Sequence, residues 1–254
     1  VATTDCSSLR IIAYGASPIA PDRLAQAMRV FGCQFVQAFG MTEASPILTL
    51  MLPEEHQPAG DERAVRRLLS CGRPVPGVSL RVVDLSGADV TAGETGEILA
   101  RGANLMVGYW RKPDATAEVL RDGWYATGDL GYLDADGYLY VVDRKKDMIV
   151  SGGENVYSTE VEATLSSHPA VLECAVIGVP DERWGEAVKA IVVLRPGAHA
   201  TAGELIAHCR ERIAGYKCPR SIDFVDALPK SGANKILKRD LRAPYWEGRE
   251  RRIQ

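Results

Sequence analysis

The stretch LRIIAYGASPIAPDRLAQAMRVFGCQFVQA, residues 9–38, decides the fold class. Residues 9–14 and 33–38 are apolar runs of strand length. Between them PDRLAQAMRVFG opens on a proline, spaces its apolar residues by three and four, and stops at Gly32. A strand, a helix and a second strand in that order make a parallel pair joined by a crossover, the unit of an α/β layer. The chain enters the first strand almost at once, which reads as a piece of something longer.

Working outward, the texture changes from 77 to 142. VSLRVVD, GEILARG and YLYVVD are short alternating runs between Gly-, Asp- and Pro-rich turns, the pattern of a small antiparallel sheet or barrel. YLDADGYLYVVD (132–143) reads as a hairpin over a DADG turn. A third texture follows. Thr159 with Glu162 has capping-box spacing for a helix over 160–167, and Thr201 with Glu204 has the same spacing for ELIAHCRERIAG. VLECAVIGV and AIVVL have the composition of buried strands, KILKRDLR that of a last basic helix, and the polar tail after about 243 is expected to be disordered. These textures predict α/β followed by α+β, with one domain over 1–144 and a small second domain over 145–254.

With 254 residues, 46 % hydrophobic, 25 % charged and a net charge of −3, the chain lacks the basic footprint of a nucleic-acid binder. No apolar run is long enough to cross a bilayer. Six scattered cysteines without a CxxC pair read as buried thiols of a cytoplasmic protein, not as a metal site or disulfide frame.

Four places carry residues suited to chemistry. In AFGMTEAS the tight turn at Gly40 is followed by Thr42 and Glu43, beyond a strand end where α/β sheets bind ligands. A hydroxyl beside a carboxylate suits hydrated Mg2+ with phosphates, or a helix-capping pair, which this segment by itself favours slightly. Asp129 in ATGD suits a ribose diol, or its own turn. Arg144 in VVDRKKD offers a rigid fork of donors, or a solvated charge. Lys235 in LPKSGANKILKRDLR follows a flexible turn that lets an ammonium reach into a cleft, or lies simply in solvent.

Taken together, YGASP, QAFGMTEAS, GETGEILARG, NLMVGYW, the run from Asp122 to Glu162 that contains DRKKDMIVSGGEN, and LPKSGANKILKRDLR resemble the adenylate-forming (AMP-binding) superfamily, and within it the acyl-CoA synthetases. The likeness runs from near residue 8 to about 243. It implies the end of a large adenylate-forming domain followed by a small mobile lid domain. It also implies that Gly15, Ala16, Ser17 and Pro18 lie along the adenine, and that Phe39 stands where the family has a tyrosine against the purine. Gly40 and Met41 complete that nucleotide-binding stretch. Thr42 contacts phosphate, Glu43 ligates Mg2+, and Asp129 with Arg144 grips the ribose. Lys146 is the hinge, Gly152-Gly153 flank the CoA arm, and Lys235 bridges the substrate carboxylate and ATP. Asn234 replaces the glycine usual before that lysine, and the family's upstream phosphate loop has no counterpart here.

The activity so implied is that of an ATP-dependent, AMP-forming acid–CoA ligase. The likeness of FGMTEASPILTLMLPEEH to fatty acyl-CoA synthetases points to a medium- or long-chain fatty acid as substrate. The chain is expected to be the C-terminal half of a synthetase, inactive by itself, with homodimerisation open. The alternatives are an acyl-AMP ligase, an enzyme that loads a carrier protein, and a non-catalytic half.

Overall fold

The computed structural model describes residues 4–15, 19, 21–232 and 234–249. Strand β1 (Ile11–Gly15), helix α1 (Pro21–Phe31) and strand β2 (Gln34–Phe39) form the unit read from the opening stretch, with β1 and β2 parallel. Pro21 supplies the fixed φ of a first helical turn. Gly32, at φ +61, closes the helix in the left-handed region that glycine reaches without strain. Leu24 of α1 packs fully buried with Phe35, Met51 and Leu68. Burial of such a side chain contributes about 2 kcal/mol. Strand β3 (Thr49–Met51), helix α2 (Glu62–Arg67) and strand β4 (Arg73–Pro74) follow, and the sheet runs β1-β2-β3-β4.

The second sheet holds β5 (Val78–Val83), β6 (Gly96–Gly102), β7 (Leu120–Arg121, after helix α3, Pro113–Val119), β8 (Trp124–Leu133) and β9 (Leu139–Arg144). Its order is β5-β6-β8-β7, with β9 on β8. The DADG turn forms as the sequence predicts. The Asp134 carboxylate accepts from the N–H groups of Asp136 and Tyr138, each 2.9 Å away, and Gly137 takes φ +78.

The chain divides into two compact units, Val1–Val141 and Val142–Gln254. The division falls slightly before the Arg144/Lys145 boundary expected from sequence, because buried Asp143 bonds within the second unit. That unit contains β10 (Ile149–Ser151), β11 (Glu154–Val156), α4 (Ser158–Ser166), β12 (Val171–Asp181), β13 (Gly185–Leu194), α5 (Ala202–Arg210), β14 (Ser221–Phe224) and α6 (Lys238–Arg242). The sheet order is β11-β10-β13-β12, with β14 parallel to β13. Both faces are covered. Cys174, Val176, Val188, Ala190 and Val192 pack with Val161 and Leu165 of α4 and Leu205 and Cys209 of α5. Ala175, Ile177, Ile191 and Val193 face Leu228, Leu241 and Tyr245. Two-sided burial is why these strands read as continuous apolar runs.

Three local expectations fail. Thr159 and Glu162 form no capping box: the Thr159 hydroxyl donates to Val142 O, and Glu162 accepts from the Val176 N–H at 2.7 Å. The last helix begins at Lys238, because Ile236 is still in a β-bridge with Lys230. Residues 244–249 of the tail are held, with the Tyr245 hydroxyl on Asp223 at 2.7 Å and the Trp246 indole N–H on Gly178 O at 3.0 Å, while 250–254 lie outside the described residues. All six cysteines are free thiols; Cys71, Cys174, Cys209 and Cys218 are buried. Among the described residues no helix is long and apolar enough to cross a membrane.

Candidate functional site

In the first unit the site grows from the ends of β1 and β2. A Cβ on Gly15 would lie 2.2 Å from Ala38 O, and one on Gly40 1.9 Å from Pro46 O, so both positions admit only glycine. Ala16, Ser17 and Pro18 lie outside the described residues. Phe39 and Met41 each give part of their surface to the core around Ala44, Leu48 and Ala100. Thr42 is exposed at the start of a single 3-10 turn, Thr42–Ala44, which has no side-chain cap; Thr42 and Glu43 are not a capping pair.

Glu43 is fixed instead by distant residues. Its Oε1 accepts from the Tyr109 hydroxyl at 2.9 Å, and its backbone carbonyl accepts from the Met106 N–H at 2.7 Å. Burial, then the hydrogen bond to Glu43, pushes the Tyr109 phenol up. Burial, the Tyr109 hydrogen bond and the charges of Glu43 and Asp129 push Tyr125 up. Both phenols therefore stay protonated at neutral pH and serve as donors.

Asp129 is 8 % exposed and sits on a bulge of β8, where residues 127–129 lie opposite Ile98 alone. Gly128 at φ +70 makes the turn. The Thr127 hydroxyl donates to Ile98 O at 2.7 Å and accepts from the Asp129 N–H at 3.1 Å. Glu43 and Asp129, distant in sequence, thus share the neighbourhood of Tyr125. Sequence reasoning missed Tyr109 and Tyr125. Their only signal is that both fall inside NLMVGYW and DGWYATGD, stretches already singled out.

In the second unit Arg144 is exposed, and its N–H donates to Asp143 Oδ1 at 2.7 Å. Lys146 is exposed in the 3-10 turn Lys145–Asp147, and its carbonyl accepts from Arg242 Nη1 at 2.7 Å. Gly152 and Gly153 join β10 to β11 at φ +63 and +88. They are not equivalent. A Cβ on Gly152 would lie 2.5 Å from the Trp184 ring, whereas one on Gly153 would meet nothing within 4 Å. The Trp184 ring lies against the Arg183 and Arg220 guanidiniums, 4.6 and 5.2 Å from its centroid.

Lys235 is exposed in a small hairpin where Ser231 N–H donates to Lys235 O and Leu237 N–H to Pro229 O, each at 2.8 Å. Asn234 takes φ +60 there, a conformation that asparagine shares with the glycine it replaces. Lys235, the Gly152-Gly153 turn and the Arg144–Lys146 segment stand on three separate loops of this unit.

Among the described residues no group of three or more His, Cys, Asp and Glu suits a metal ion. A hydrated Mg2+ shared with phosphates needs only one or two carboxylates. Glu43, half-buried and oriented by Tyr109, fits that need.

Comparison with known proteins gives a consistent result. The AMP-binding enzyme family matches residues 1–110, and the AMP-binding enzyme C-terminal domain matches residues 160–235. A feruloyl-CoA synthase of Amycolatopsis is 48% identical over 243 residues, which cover 96% of this chain and 48% of the relative. A medium/long-chain fatty acid–CoA ligase of Mycobacterium tuberculosis is 44% identical over 258 residues, covering 99% of this chain and 44% of the relative. Among solved structures, o-succinylbenzoate CoA synthetase of Bacillus subtilis in complex with its acyl-adenylate intermediate aligns with a TM-score of 0.81. Its identity is 39%, with 92% of this chain and 46% of that one covered. An amide bond synthetase of Marinactinospora thermotolerans aligns with a TM-score of 0.83 at 38% identity, over 95% of this chain and 48% of that one. The chain spans about half the length of the curated relatives it matches.

Proposed function

Since this chain belongs to the AMP-binding enzymes, we propose that the whole protein is an ATP-dependent, AMP-forming acid–CoA ligase. The reaction has two steps. A carboxylate oxygen of the acid attacks the α-phosphorus of ATP, and the bond to pyrophosphate breaks. The CoA sulfur then attacks the acyl carbonyl, and AMP leaves with the electrons of the broken C–O bond.

The residues divide between these steps. Gly15, Gly40 and Met41 shape the nucleotide pocket, and the Phe39 ring lies against the purine. The Thr42 hydroxyl donates to phosphate, and Asp129 with Arg144 holds the ribose hydroxyls. Glu43 would hold Mg2+ beside the phosphates. When bound, that ion supplies positive charge to the phosphate oxygens. The Lys235 ammonium stabilises the charge that gathers during adenylation. Gly153, open on its Cβ side, lets the pantetheine arm pass against the backbone during thioester formation. Lys146 is the pivot that presents first one loop and then the other to the same adenylate.

The observation that carries this reading is the placement of Lys235 and Gly152-Gly153 on separate loops of one small unit. Chemistry needed at different times is then offered by turning that unit. For the acid we propose a medium- or long-chain fatty acid. Relatives named for feruloyl, indoleacetate and succinylbenzoate activation make aryl acids the competing class. A cytoplasmic location belongs to this reading; ATP and CoA as substrates and six free thiols support it.

The test is to give the whole protein ATP, Mg2+, CoA and a panel of fatty and aryl acids, and to follow pyrophosphate, AMP and free thiol. AMP and thioester with fatty acids are expected. Pyrophosphate release without thiol consumption would replace the CoA ligase with an adenylate-only or carrier-loading enzyme, a class represented by a relative that is 40% identical and named for an acyl-carrier-protein.

A further inference from the structure

Two sets of bonds surround the Lys146 turn, and they differ in which side of it they join. Downstream, Arg242 Nη1 donates to Lys146 O at 2.7 Å and lies 3.1 Å from Asp147 Oδ1, each side chain of that ion pair 11% exposed. The peptide plane of Lys146 O and Asp147 N is rigid and follows the torsions of Lys146, so these bonds travel with α6 through any rotation about that residue.

The second set crosses the turn. Asp143 lies before Lys146, is 4% exposed, and accepts from both the N–H and the hydroxyl of Ser158, the latter at 2.8 Å. Thr159 adds its hydroxyl on Val142 O. Lys238 Nζ stands 2.7 Å from Ser158 Oγ and 2.7 Å from Glu162 Oε1, with those two charged side chains 13% and 20% exposed. An ammonium can only donate, so the Ser158 hydroxyl accepts from Lys238 and spends its own proton on Asp143. The chain Glu162–Lys238–Ser158–Asp143 is polarised in one direction. It places one cation between two largely buried carboxylates, an arrangement costly to open unless each group finds a new partner.

A large rotation about Lys146 carries Asp143 and Val142 away from Ser158 and Thr159, whereas the Arg242 bonds survive. We propose that Ser158 and Lys238 are positioning residues: they latch Asp143 across the pivot in one of the two orientations and so set the balance between the two half-reactions. This rests on the two-step reading with Lys146 as the pivot. Lys238 stands three residues after Lys235, so the latch and the adenylating lysine lie on one short segment.

The experiment measures, in the whole protein, adenylation by pyrophosphate release and thioester formation from supplied acyl-adenylate. Ser158→Ala, Lys238→Met and Lys238→Arg are compared with the unmodified protein. Ser158→Ala keeps the backbone N–H on Asp143 and is therefore the milder change. The ratio of the two rates is expected to shift about tenfold in Ser158→Ala and more in Lys238→Met, with one half-reaction slowed and the other held or raised. Lys238→Arg, which keeps a donor cation, should return part of the shift. Proportional slowing of both halves, or an unchanged ratio, would overturn the latch while the two-step reading stands. Absence of both half-reactions from the unmodified protein would remove that reading, and the latch with it.

Discussion

Lys235 and Gly153 are the residues whose replacement separates the two proposed steps. Lys235→Ala in the whole protein should slow adenylation by about 10²- to 10³-fold, the scale for losing one stabilising donor, and leave thioester formation from supplied acyl-adenylate nearly intact. Gly153→Leu should do the reverse, slowing thioester formation on the order of a hundredfold through misplacement of the attacking group. Gly153 is at φ +88, so Gly153→Asn is the control: asparagine tolerates that backbone and should be affected less than leucine. Equal losses in both half-reactions would count against either assignment. Gly152 is the wrong position for this test, because the Trp184 ring fills its Cβ space. At this scale the local positions of the carboxylates were legible in sequence, Glu43 after a strand end and Asp129 after a Thr-Gly turn. Tyr109 and Tyr125 were not. A tyrosine in or near a strand is ordinary β composition, and only the fold brings the Tyr109 hydroxyl to Glu43.

Among the elements, α4 and α5 offer a controlled comparison, because both begin near a Thr followed three positions later by Glu. In α5 the box forms: the Thr201 hydroxyl accepts from the Glu204 N–H at 3.2 Å, and the Glu204 carboxylate accepts from the Thr201 N–H at 2.7 Å. In α4 the first N–H, that of Ser158, and the Ser158 hydroxyl are both served by Asp143, from outside the helix. Spacing within a helix cannot reveal a carboxylate supplied from another strand, so one box was predictable and its twin was not. Thr201→Ala should lower stability by about 1 kcal/mol in urea unfolding, and a change indistinguishable from zero would contradict the cap. The Lys189–Asp223 pair joining β13 to β14 makes a pH prediction. A hydrogen bond from Lys189, 2.8 Å away, holds the Asp223 carboxyl below its ordinary value of 3.8, with burial opposing. A depressed folded value means that the unfolded chain takes up the proton first. The stabilisation is therefore complete above the ordinary carboxylate range and is lost as pH falls through it. The urea midpoint should be level above about pH 5 and fall below about pH 4, with Asp223→Asn removing part of that slope. The contribution is small, because the Asp223 side chain is 45% exposed.

For the molecule as a whole, the α/β opening and the two buried strands of the second unit, VLECAVIGV and AIVVL, were readable from sequence because the apolar pattern reports burial. The start of α6 and the anchoring of Tyr245 and Trp246 were not, since both depend on partners distant in sequence: Lys230 for Ile236, Asp223 for Tyr245 and Gly178 for Trp246. The second unit buries both faces of its sheet with its own side chains. Residues 142–254 expressed alone should therefore unfold in one cooperative step when followed by circular dichroism, whereas a broad, non-cooperative melt would mean that the core is incomplete. The distribution of thiols has a practical consequence. Cys174, Cys209 and Cys218, all in the second unit, are buried, and burial raises Cys174 and Cys209 to about 11 and raises Cys218 as well. Maleimide dyes, which need an accessible thiolate, will therefore find little to attack there. A single cysteine engineered onto that unit's surface becomes an attachment point for a fluorophore without stripping out the buried ones; of this chain's thiols, with Cys71 also buried, Cys6 and Cys33 are those to be silenced.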